Sequence, residues 1–443
     1  MNVSSENECA EKTFALQVVE RLRAAGFEAL WAGGCVRDLL LGREPTDYDV
    51  ATSATPQQVR ELFGRNRTLA VGMSFGVMIV LAPERAGGQV EVATFRTDAQ
   101  YSDGRHPDAV IFSTAAEDAQ RRDFTINGMF YDPLQDSVID YVGGQADLER
   151  GMIRAIGRAE ERIGEDKLRM LRGVRFAARF GFELEAGTRK AIARHAAEVA
   201  CVSGERIWSE IVKTLQTPRS AWAVEQWREL GLLAIILPAV DAGWQASGQH
   251  VIRMLAVAEQ VQHVVANDEL DKFLAMLWAI VGSESEPLDG LINSLKVHLK
   301  IANKISQAIG FCLSAQSVFD DAQLKPWSQL QPWLVDPLAR RAVRLFAHRA
   351  GETTAERRAT LAWLEQQLTR PSSELDPAPL LMGDDLIAAG LEPCPLFRQL
   401  LDQARILQLD AQLGDRAAAL QWLSKRVSEK GSDPLCDTWS GSE

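Results

Sequence analysis

Residues 31–52, WAGGCVRDLLLGREPTDYDVAT, decide how this chain of 443 residues is read. The preceding ALWAGG (29–34) has the pattern of a strand running into a turn. CVRDLLLG reads as a short helix ended by glycine, and DYDVAT as a second strand. In a strand, residues i and i+2 point the same way with Cα atoms roughly 6.5–7 Å apart, so Asp47 and Asp49 would share a face. Two carboxylates so placed can reach Mg²⁺, a hard cation that favours carboxylate and phosphate oxygen. A lone Asp-x-Asp is more often a solvated strand face than a metal site. What precedes it changes the balance. Gly33 and Gly34 let backbone approach a ligand closely, and the helix opening at Cys35 offers free N–H groups to an anion. Arg37, in that first turn, adds a cation. A phosphate cradle and a carboxylate pair within ~15 residues of each other point to nucleoside triphosphate chemistry.

Working outward, SATPQQVRELF predicts a helix with Thr55 as N-cap and Pro56 at its first position. FGVMIVLA and QVEVATFR are β-rich runs joined by PERAGG, which predicts a hairpin. Glu91, within QVEVATFR, is a candidate third carboxylate for a two-metal site. The same residue reads equally well as an outward-facing position on a half-exposed strand. RRDFTINGM (121–129) supplies Arg121 and Arg122, suited to a triphosphate, and Asp123 and Asn127, spaced one helical turn apart and able to hold a ribose hydroxyl. The bland alternative is a polar helix start capped by Asp123. GEDKLRMLRGVRFAARF (164–180) places Arg169, Arg172 and Arg175 at i, i+3 and i+6, with Asp166 a turn ahead of Arg169. Arg offers only donors and Asp only acceptors, so such a pair can match a base edge as well as a phosphate. The competing reading is a stripe of intrahelical ion pairs, each worth about 0.3–0.5 kcal/mol.

Bulk composition bounds the rest. Hydrophobic residues make up 46% and charged residues 24%, ordinary for a soluble globular protein. No apolar run approaches the ~20 residues that span a bilayer, and the polar start MNVSSENECAEK has no signal-peptide core. A membrane role is therefore not expected. Six cysteines, at 9, 35, 201, 312, 394 and 436, form no Cys-x-x-Cys pair, which points to reduced cytoplasmic thiols. The net charge of −12 argues against a protein that coats nucleic acid nonspecifically. Yet residues 167–179 carry five cations (Lys167, Arg169, Arg172, Arg175, Arg179) and no acid. The six histidines include no His-Asp pair, so a metal-dependent phosphohydrolase domain is not expected.

The pattern mixes strands and helices to about residue 150 and is helical thereafter, broken at Pro238, Pro287, Pro371 and 377–379. The expected organisation is a disordered 1–12, an α+β head over 13–150, helical segments over 151–220, 221–370 and 371–426, and a mobile 427–443.

WAGGCVRDLLLGREPTDYDVAT, RRDFTINGM and EDKLRMLRGVRF, in that order and spacing, closely resemble bacterial class II tRNA nucleotidyltransferases and their poly(A) polymerase relatives. The resemblance is strong over about 30–215, weaker to 370, and returns in GDDLIAAGLEPCPLFRQLLDQA (383–404). It implies a DNA polymerase β-like head with an antiparallel-containing sheet, then an all-helical neck, body and tail. It implies that Asp47 and Asp49 bind Mg²⁺, and that Gly34 and Arg37 contact the triphosphate. Arg122, Asp123 and Asn127 would meet the nucleotide's phosphate and ribose. Asp166 and Arg169 would read the Watson–Crick edge of incoming CTP or ATP, with Arg172 and Arg175 nearby on phosphate or primer. YSDGRHPDAVIF (101–112) matches the family's flexible loop, and SGERIWSEI (203–211) the helix that braces the neck. The implied partners are ATP, CTP and the tRNA 3′ end, held by acceptor stem and elbow, rather than DNA. Relatives usually carry alanine where the second motif here ends in Gly128. Addition of CCA is the leading expectation; A-addition alone and poly(A) synthesis are the alternatives.

Overall fold

The computed structural model describes residues 3–72, 76–83, 88–98, 110–244, 248–249, 251–253, 255–256, 269–281, 288–350, 354–393 and 395–430. The chain divides into two compact units. One comprises Met1–Phe273, Gly282–Ser285 and Asn293–Ile301; the other comprises Leu274–Val281, Glu286–Ile292 and Ala302–Glu443.

The first unit opens with helix α1, Val3–Ala24, so residues 3–12 are helical rather than disordered as the polar composition suggested. The helix is anchored further along. Phe14, Ala15, Val18, Val19 and Leu22 recur at helical spacing and are buried in the main core. Burial of each large side chain contributes about 1.5–3 kcal/mol, enough to carry the polar turns before them.

The strands that follow are β1 (Ala29–Ala32), β2 (Asp49–Thr52), β3 (Thr68–Gly72), β4 (Val77–Leu81), β5 (Gln89–Thr94), β6 (Arg96–Asp98), β7 (Val110–Phe112), β8 (Phe130–Asp132), β9 (Ser137–Ile139) and, where an all-helical neck was expected, a short parallel pair β10 (Met152–Ile153) and β11 (Glu183–Leu184). Seven of them form one sheet in the order β3-β4-β5-β2-β1-β8-β9. Its pairs are antiparallel except β2–β5, which is parallel. The predicted hairpin is β4–β5, in register from Leu81↔Gln89 to Val77↔Ala93. The sheet packs on two faces, and the alternation of side chains sorts residues between them. Trp31, Val50, Val90 and Val92 join α1 in the main core. Leu30, Ala32 and Ala51 pack with Ala115 and Ala119 of helix α4, Ala115–Arg121, on the other.

Between strands, helix α2 spans Gly34–Leu40 and helix α3 spans Pro56–Phe63, the latter with the expected Thr55 cap closed into a box by Gln58. A short helix α5 (Gly144–Glu149) follows β9, and then α6 (Ala159–Glu165) and α7 (Arg169–Phe180). The run 164–180 is thus two helices broken at Asp166, which adopts extended backbone (φ −141°, ψ 107°). Its own carboxylate accepts the Leu168 N–H at 3.1 Å, an alternative to helical pairing that opens α7. Gly173 lets α7 lie close to Phe124: a Cβ there would come within 3.2 Å of the ring. Helix α8 (Ala186–His195) packs against α6, and α9 (Gly204–Leu215) packs against α7.

The second unit is helical in its described residues. Asn303–Asp320, Trp327–Val335, Ala339–Ala350 and Ala355–Gln367 bury Cys312, Phe319, Leu330 and Phe346. Gly383–Ala388, Pro395–Leu409 and Arg416–Lys430 share a smaller core of Leu381, Leu386, Leu400, Ala404 and Leu423. The last helix passes residue 427, where sequence pattern predicted a mobile tail; Leu423 and Ala419 anchor its inner face. Among the described residues no helix is long and apolar enough to cross a membrane.

Candidate active site

The sheet register brings three sequence-distant features to one place. In the β1–β2 pair Ala32 faces Asp49, so the Gly33–Gly34 turn leaving β1 lies beside Asp49. Gly33 has φ +75°, a left-handed backbone that favours glycine, and a Cβ there would approach Arg122 Nη1 to 3.1 Å. In the parallel β2–β5 pair Val50 faces Val92, which places Asp49 next to Glu91 on the face opposite the α1 core. Glu91 is therefore outward-facing and also the neighbour of Asp49; the two readings of its sequence position are compatible.

Asp47 departs from expectation in one respect. The strand begins at Asp49, and Asp47 sits in the lead-in, exposed, with Thr46 Oγ1 donating to its Oδ1 at 3.1 Å. Strand β1 ends where Gly33 turns away, so no ladder partner remains for residues 47 and 48. The three carboxylates still act on one another. Burial, then Glu91 and Asp47, push the Asp49 carboxyl up to about 7, against a smaller opposing pull from Arg122. Burial and Asp47 likewise raise Glu91. Among the described residues no three His, Cys, Asp or Glu side chains converge tightly enough to form a ready-made cage for an ion. The donor set at Asp47 and Asp49 nonetheless suits a hard divalent cation: carboxylate oxygens two residues apart, with the charged form of Asp49 disfavoured by burial and by its carboxylate neighbours. Cys35, buried beneath them, is pushed up to about 12 by burial and by Asp49, so it stays a protonated thiol and is no nucleophile.

A cleft of ≈ 410 Å³ opens from Asp49 and the glycine turn toward α7, lined also by Arg122, Asp123, Asp166, Arg169 and Arg172. A second depression of ≈ 280 Å³ adjoins it and shares Asp49, Arg121 and Arg122 while adding Glu91 and Arg96. The arginines that the sequence placed on phosphate have distinct situations. Arg37 lines the cleft but is 4% exposed: its Nε and Nη2 donate to both Asp38 oxygens at 2.9 Å, and Nη1 donates to Asn127 Oδ1 at 2.7 Å. Its guanidinium also lies 4.6 Å from the Phe180 ring centroid. It is a brace for Asn127 more than an open cation. Arg121 and Arg122 both donate to Asp118, a buried residue of α4 absent from the sequence expectations.

RRDFTINGM does not continue as an α-helix after α4. Thr125–Asn127 is a single 3₁₀ turn, and this still sets Asp123 and Asn127 together, with Asn127 Nδ2 donating to Asp123 Oδ1 at 3.1 Å. The other Asp123 oxygen accepts from Arg172 Nε at 2.9 Å and Nη2 at 2.6 Å. Although burial opposes it, Arg172 and Asn127 hold the Asp123 carboxyl down at about 2.

Around α7 the ion pairs run between elements instead of along one helix. Asp166 Oδ2 accepts from Arg206 of α9 at 2.8 Å. Arg169 Nη1 donates to Glu165 Oε2 and to the Arg162 carbonyl, both at 2.6 Å, and Nη2 donates to the Arg121 carbonyl at 3.2 Å. The Arg169 N–H donates to the Asp166 carbonyl at 3.1 Å, but their side chains do not pair; these stand side by side, each fixed from behind and each facing the cleft. Two of the four lone-pair directions on the Asp166 carboxylate are used, which leaves acceptor capacity for a ligand. Arg175 is not among the cleft-lining residues: it is buried, and its Nε donates to Glu210 Oε2 at 2.7 Å. The i+6 position carries it around the helix, away from the face shared by Arg169 and Arg172. Residues 101–109 of the YSDGRHPDAVIF stretch lie outside the described residues; Val110–Phe112 pair with Arg96–Asp98.

Sequence reasoning missed Asp118, Glu165, Arg206 and Glu210. Asp118 had a local signal, lying three and four residues before Arg121 and Arg122 on one helix. Glu165 lies four before Arg169 in the same way. Arg206 and Glu210 lie in SGERIWSEI, the stretch the resemblance gave as the neck brace, but no local spacing pointed to their partners, some 35–40 residues away.

Comparison with known proteins agrees with this architecture. Residues 29–154 match the family described as poly A polymerase head domain, and 181–243 match the one described as probable RNA and SrmB-binding site of polymerase A. A CCA-adding enzyme of Lactiplantibacillus plantarum is 35% identical over 330 residues, covering 68% of this chain and 79% of that protein. Poly(A) polymerase I of Salmonella typhi is 37% identical over 335 residues, covering 70% of this chain and 66% of its own length. The crystal structure of the Bacillus stearothermophilus CCA-adding enzyme in complex with CTP superposes with a TM-score of 0.73 at 28% identity, covering 95% of this chain and 98% of that one. This chain belongs to the family of tRNA nucleotidyltransferases and poly(A) polymerases.

Proposed function

We propose that the protein is a template-independent nucleotidyltransferase that completes the 3′ CCA end of tRNA from CTP and ATP. The 3′ hydroxyl of the RNA attacks the α-phosphate of the nucleotide, the bond to the β-phosphate breaks, and pyrophosphate leaves. The observation that carries this reading is the single cleft with Asp49 at one end and the fixed Asp166–Arg169 pair at the other. That layout suits a nucleotide laid with its phosphates at the sheet and its base at α7. The crystallised relative bound to CTP supports it.

A divalent cation, Mg²⁺ by the hardness of the donors, would be held by Asp47 and Asp49, where it would favour the ionised 3′ hydroxyl and neutralise the leaving pyrophosphate. Glu91 supplies a further carboxylate from the adjoining depression. Gly33 and Gly34 permit close approach of the triphosphate, and Arg121 and Arg122 face its negative charge. Asn127 presents its remaining amide N–H to the ribose, held in position by Arg37 and by Asp123, whose oxygens already accept from the Phe124 N–H, Asn127 and Arg172. Asp166 accepts and Arg169 donates along the base edge: cytosine and adenine each offer an exocyclic amine to the first and a ring nitrogen to the second. Guanine and uracil offer a carbonyl where the amine would be, which places acceptor against acceptor. Arg175 supports α7 through Glu210.

In this assignment residues 13–150 form the catalytic head, 151–220 the neck that reads the nucleotide, and 221–370 and 371–426 the body and tail that hold the tRNA. The cytoplasm is the compartment it implies. Incubating tRNA that lacks CCA, and tRNA ending in CC, with each nucleotide and Mg²⁺ tests the reading: both substrates should be completed to CCA and then stop. Extension only of the CC-ended tRNA would replace it with A-addition. The 37% identity to a poly(A) polymerase favours a second reading, addition of longer adenosine tails, which growth well beyond one adenosine would establish.

A further inference from the structure

Asp118 is the most heavily engaged buried carboxylate beside the cleft that the proposed mechanism leaves unused. It sits on α4 with 1% of its surface exposed. Arg121 donates to it from Nε at 2.9 Å, and Arg122 from Nε at 3.1 Å and Nη2 at 3.0 Å. The Arg96 backbone N–H adds a longer bond at 3.3 Å. The two guanidiniums outweigh the effect of burial and keep the carboxyl below its usual range, so it stays ionised. Both arginines face the cleft and the adjoining depression, forming with Asp49 the wall the two share. Without Asp118, Arg121 would keep its Nε bond to the Arg96 carbonyl at 3.2 Å and Arg122 its Nη1 bond to the Asn127 carbonyl at 3.4 Å, but the two cations would lose the shared acceptor that offsets their repulsion and aims them together. Arg121 has a second connection, since its carbonyl accepts from Arg169 Nη2 at 3.2 Å. That bond uses the backbone at the end of α4, so a change in the aim of the Arg121 side chain leaves the base-facing arginine in place.

We propose that Asp118 is the positioning residue of the phosphate end: one buried carboxylate that holds Arg121 and Arg122 jointly aimed at the triphosphate of the incoming nucleotide. This rests on the proposed nucleotidyl-transfer function. Asp118 touches no substrate, so its effect passes wholly through the two arginines. It is felt by ligands carrying β- and γ-phosphates and not by those lacking them.

The test is equilibrium binding of CTP and of CMP to the full chain in Mg²⁺, for the wild type, Asp118→Asn, Arg121→Ala/Arg122→Ala and the triple variant. Asp118→Asn should weaken CTP about tenfold or more, the scale of a lost charge-assisted bond, and CMP by less than about twofold. In the arginine-free background Asp118→Asn should cause no further loss. Equal weakening of CTP and CMP, unchanged CTP affinity, or a full Asp118 effect without the arginines would each overturn the proposal. If Asp118→Asn does not fold, Arg122→Lys carries the test. Lysine keeps the charge but cannot form the two-point bond to Asp118, so CTP should weaken while CMP does not, and full retention of CTP affinity would overturn the proposal. A wild type that binds neither CTP nor ATP would remove the functional reading and this inference together; a wild type that binds CTP, alongside an Asp118→Asn variant that binds it equally, removes this inference alone.

Discussion

The two ends of the cleft solve opposite electrostatic problems. At the sheet end Asp49 stands beside Glu91 with Asp47 in the lead-in to its strand, no guanidinium among the described residues pairs with it directly, and burial together with these two carboxylates pushes Asp49 up to about 7. At the α7 end each carboxylate has a guanidinium: Asp123 with Arg172, Asp166 with Arg206, Glu165 with Arg169, Glu210 with Arg175. There Asp123 is pulled down to about 2. Like charges held together by a sheet register are destabilised in their ionised form and gain from an incoming cation. Paired charges are already satisfied and gain rigidity instead. One end is built to receive charge, and the other to present fixed donors and acceptors to a neutral base.

That contrast can be broken by substitution. The largest effect should come from the sheet end: Asp49→Ala is expected to lower CTP incorporation by about 10³-fold or more, some 4 kcal/mol in the barrier, with tRNA binding little changed. Gel-shift and incorporation assays run together would check both halves, and surviving activity would defeat the assignment of Asp49.

At the paired end the cost should appear in stability. Arg172→Ala leaves the half-buried Asp123 without its guanidinium and should cost about 1–3 kcal/mol, read from the urea midpoint near pH 7. The pH dependence has a definite sign. The Asp123 carboxyl is lowered in the folded chain, so its stabilisation is complete above the ordinary carboxylate range. It fades as pH falls from about 4 to about 2, where Asp123 takes up its proton. Asp123→Asn should flatten that segment of the stability–pH curve; an unchanged curve would mean that the Arg172 pair contributes nothing there.

Smaller in rate but sharper in meaning are Asp166→Ala and Arg169→Ala. Each should relax the preference for CTP and ATP over UTP and GTP by roughly 10- to 100-fold while transfer persists, since one base-edge bond is worth about 1–3 kcal/mol. Competition between labelled nucleotides would measure it, and an intact preference would remove the pair from base reading. The smallest effect concerns Gly128, where the resemblance led one to expect alanine. A Cβ there would approach Val142 Cγ2 to 2.8 Å and Ile156 Cδ1 to 2.9 Å, so Gly128→Ala should cost about 1 kcal/mol in urea unfolding.

Much of this was legible beforehand, for physical reasons that differ by residue. The Thr55 cap, the β4–β5 hairpin and the Asp123–Asn127 contact are set by neighbours within a few positions, and local chemistry predicts local geometry. Where strand signals were extended too far, as at Asp47, the limit came from a partner strand ending at Gly33. Residues 3–12 are helical because of apolar positions beginning at Phe14, beyond the polar stretch itself. The single helix predicted over 164–180 divides because the Asp166 side chain competes for its own backbone.

By itself the sequence determined which chemistry is available: two aspartates two apart, a glycine turn before them, and a line of arginines at helical spacing. These are properties of residue type and short separation, carried in the chain before it folds. Only the tertiary structure decided how that chemistry is divided. The β2–β5 register set Glu91 beside Asp49, and α9 brought Arg206 and Glu210 against α7. That packing also turned Arg37 and Arg175 from expected ligand contacts into buried braces. Such assignments depend on which side chain across the fold reaches a given charge first, and that is fixed by packing between elements far apart in sequence.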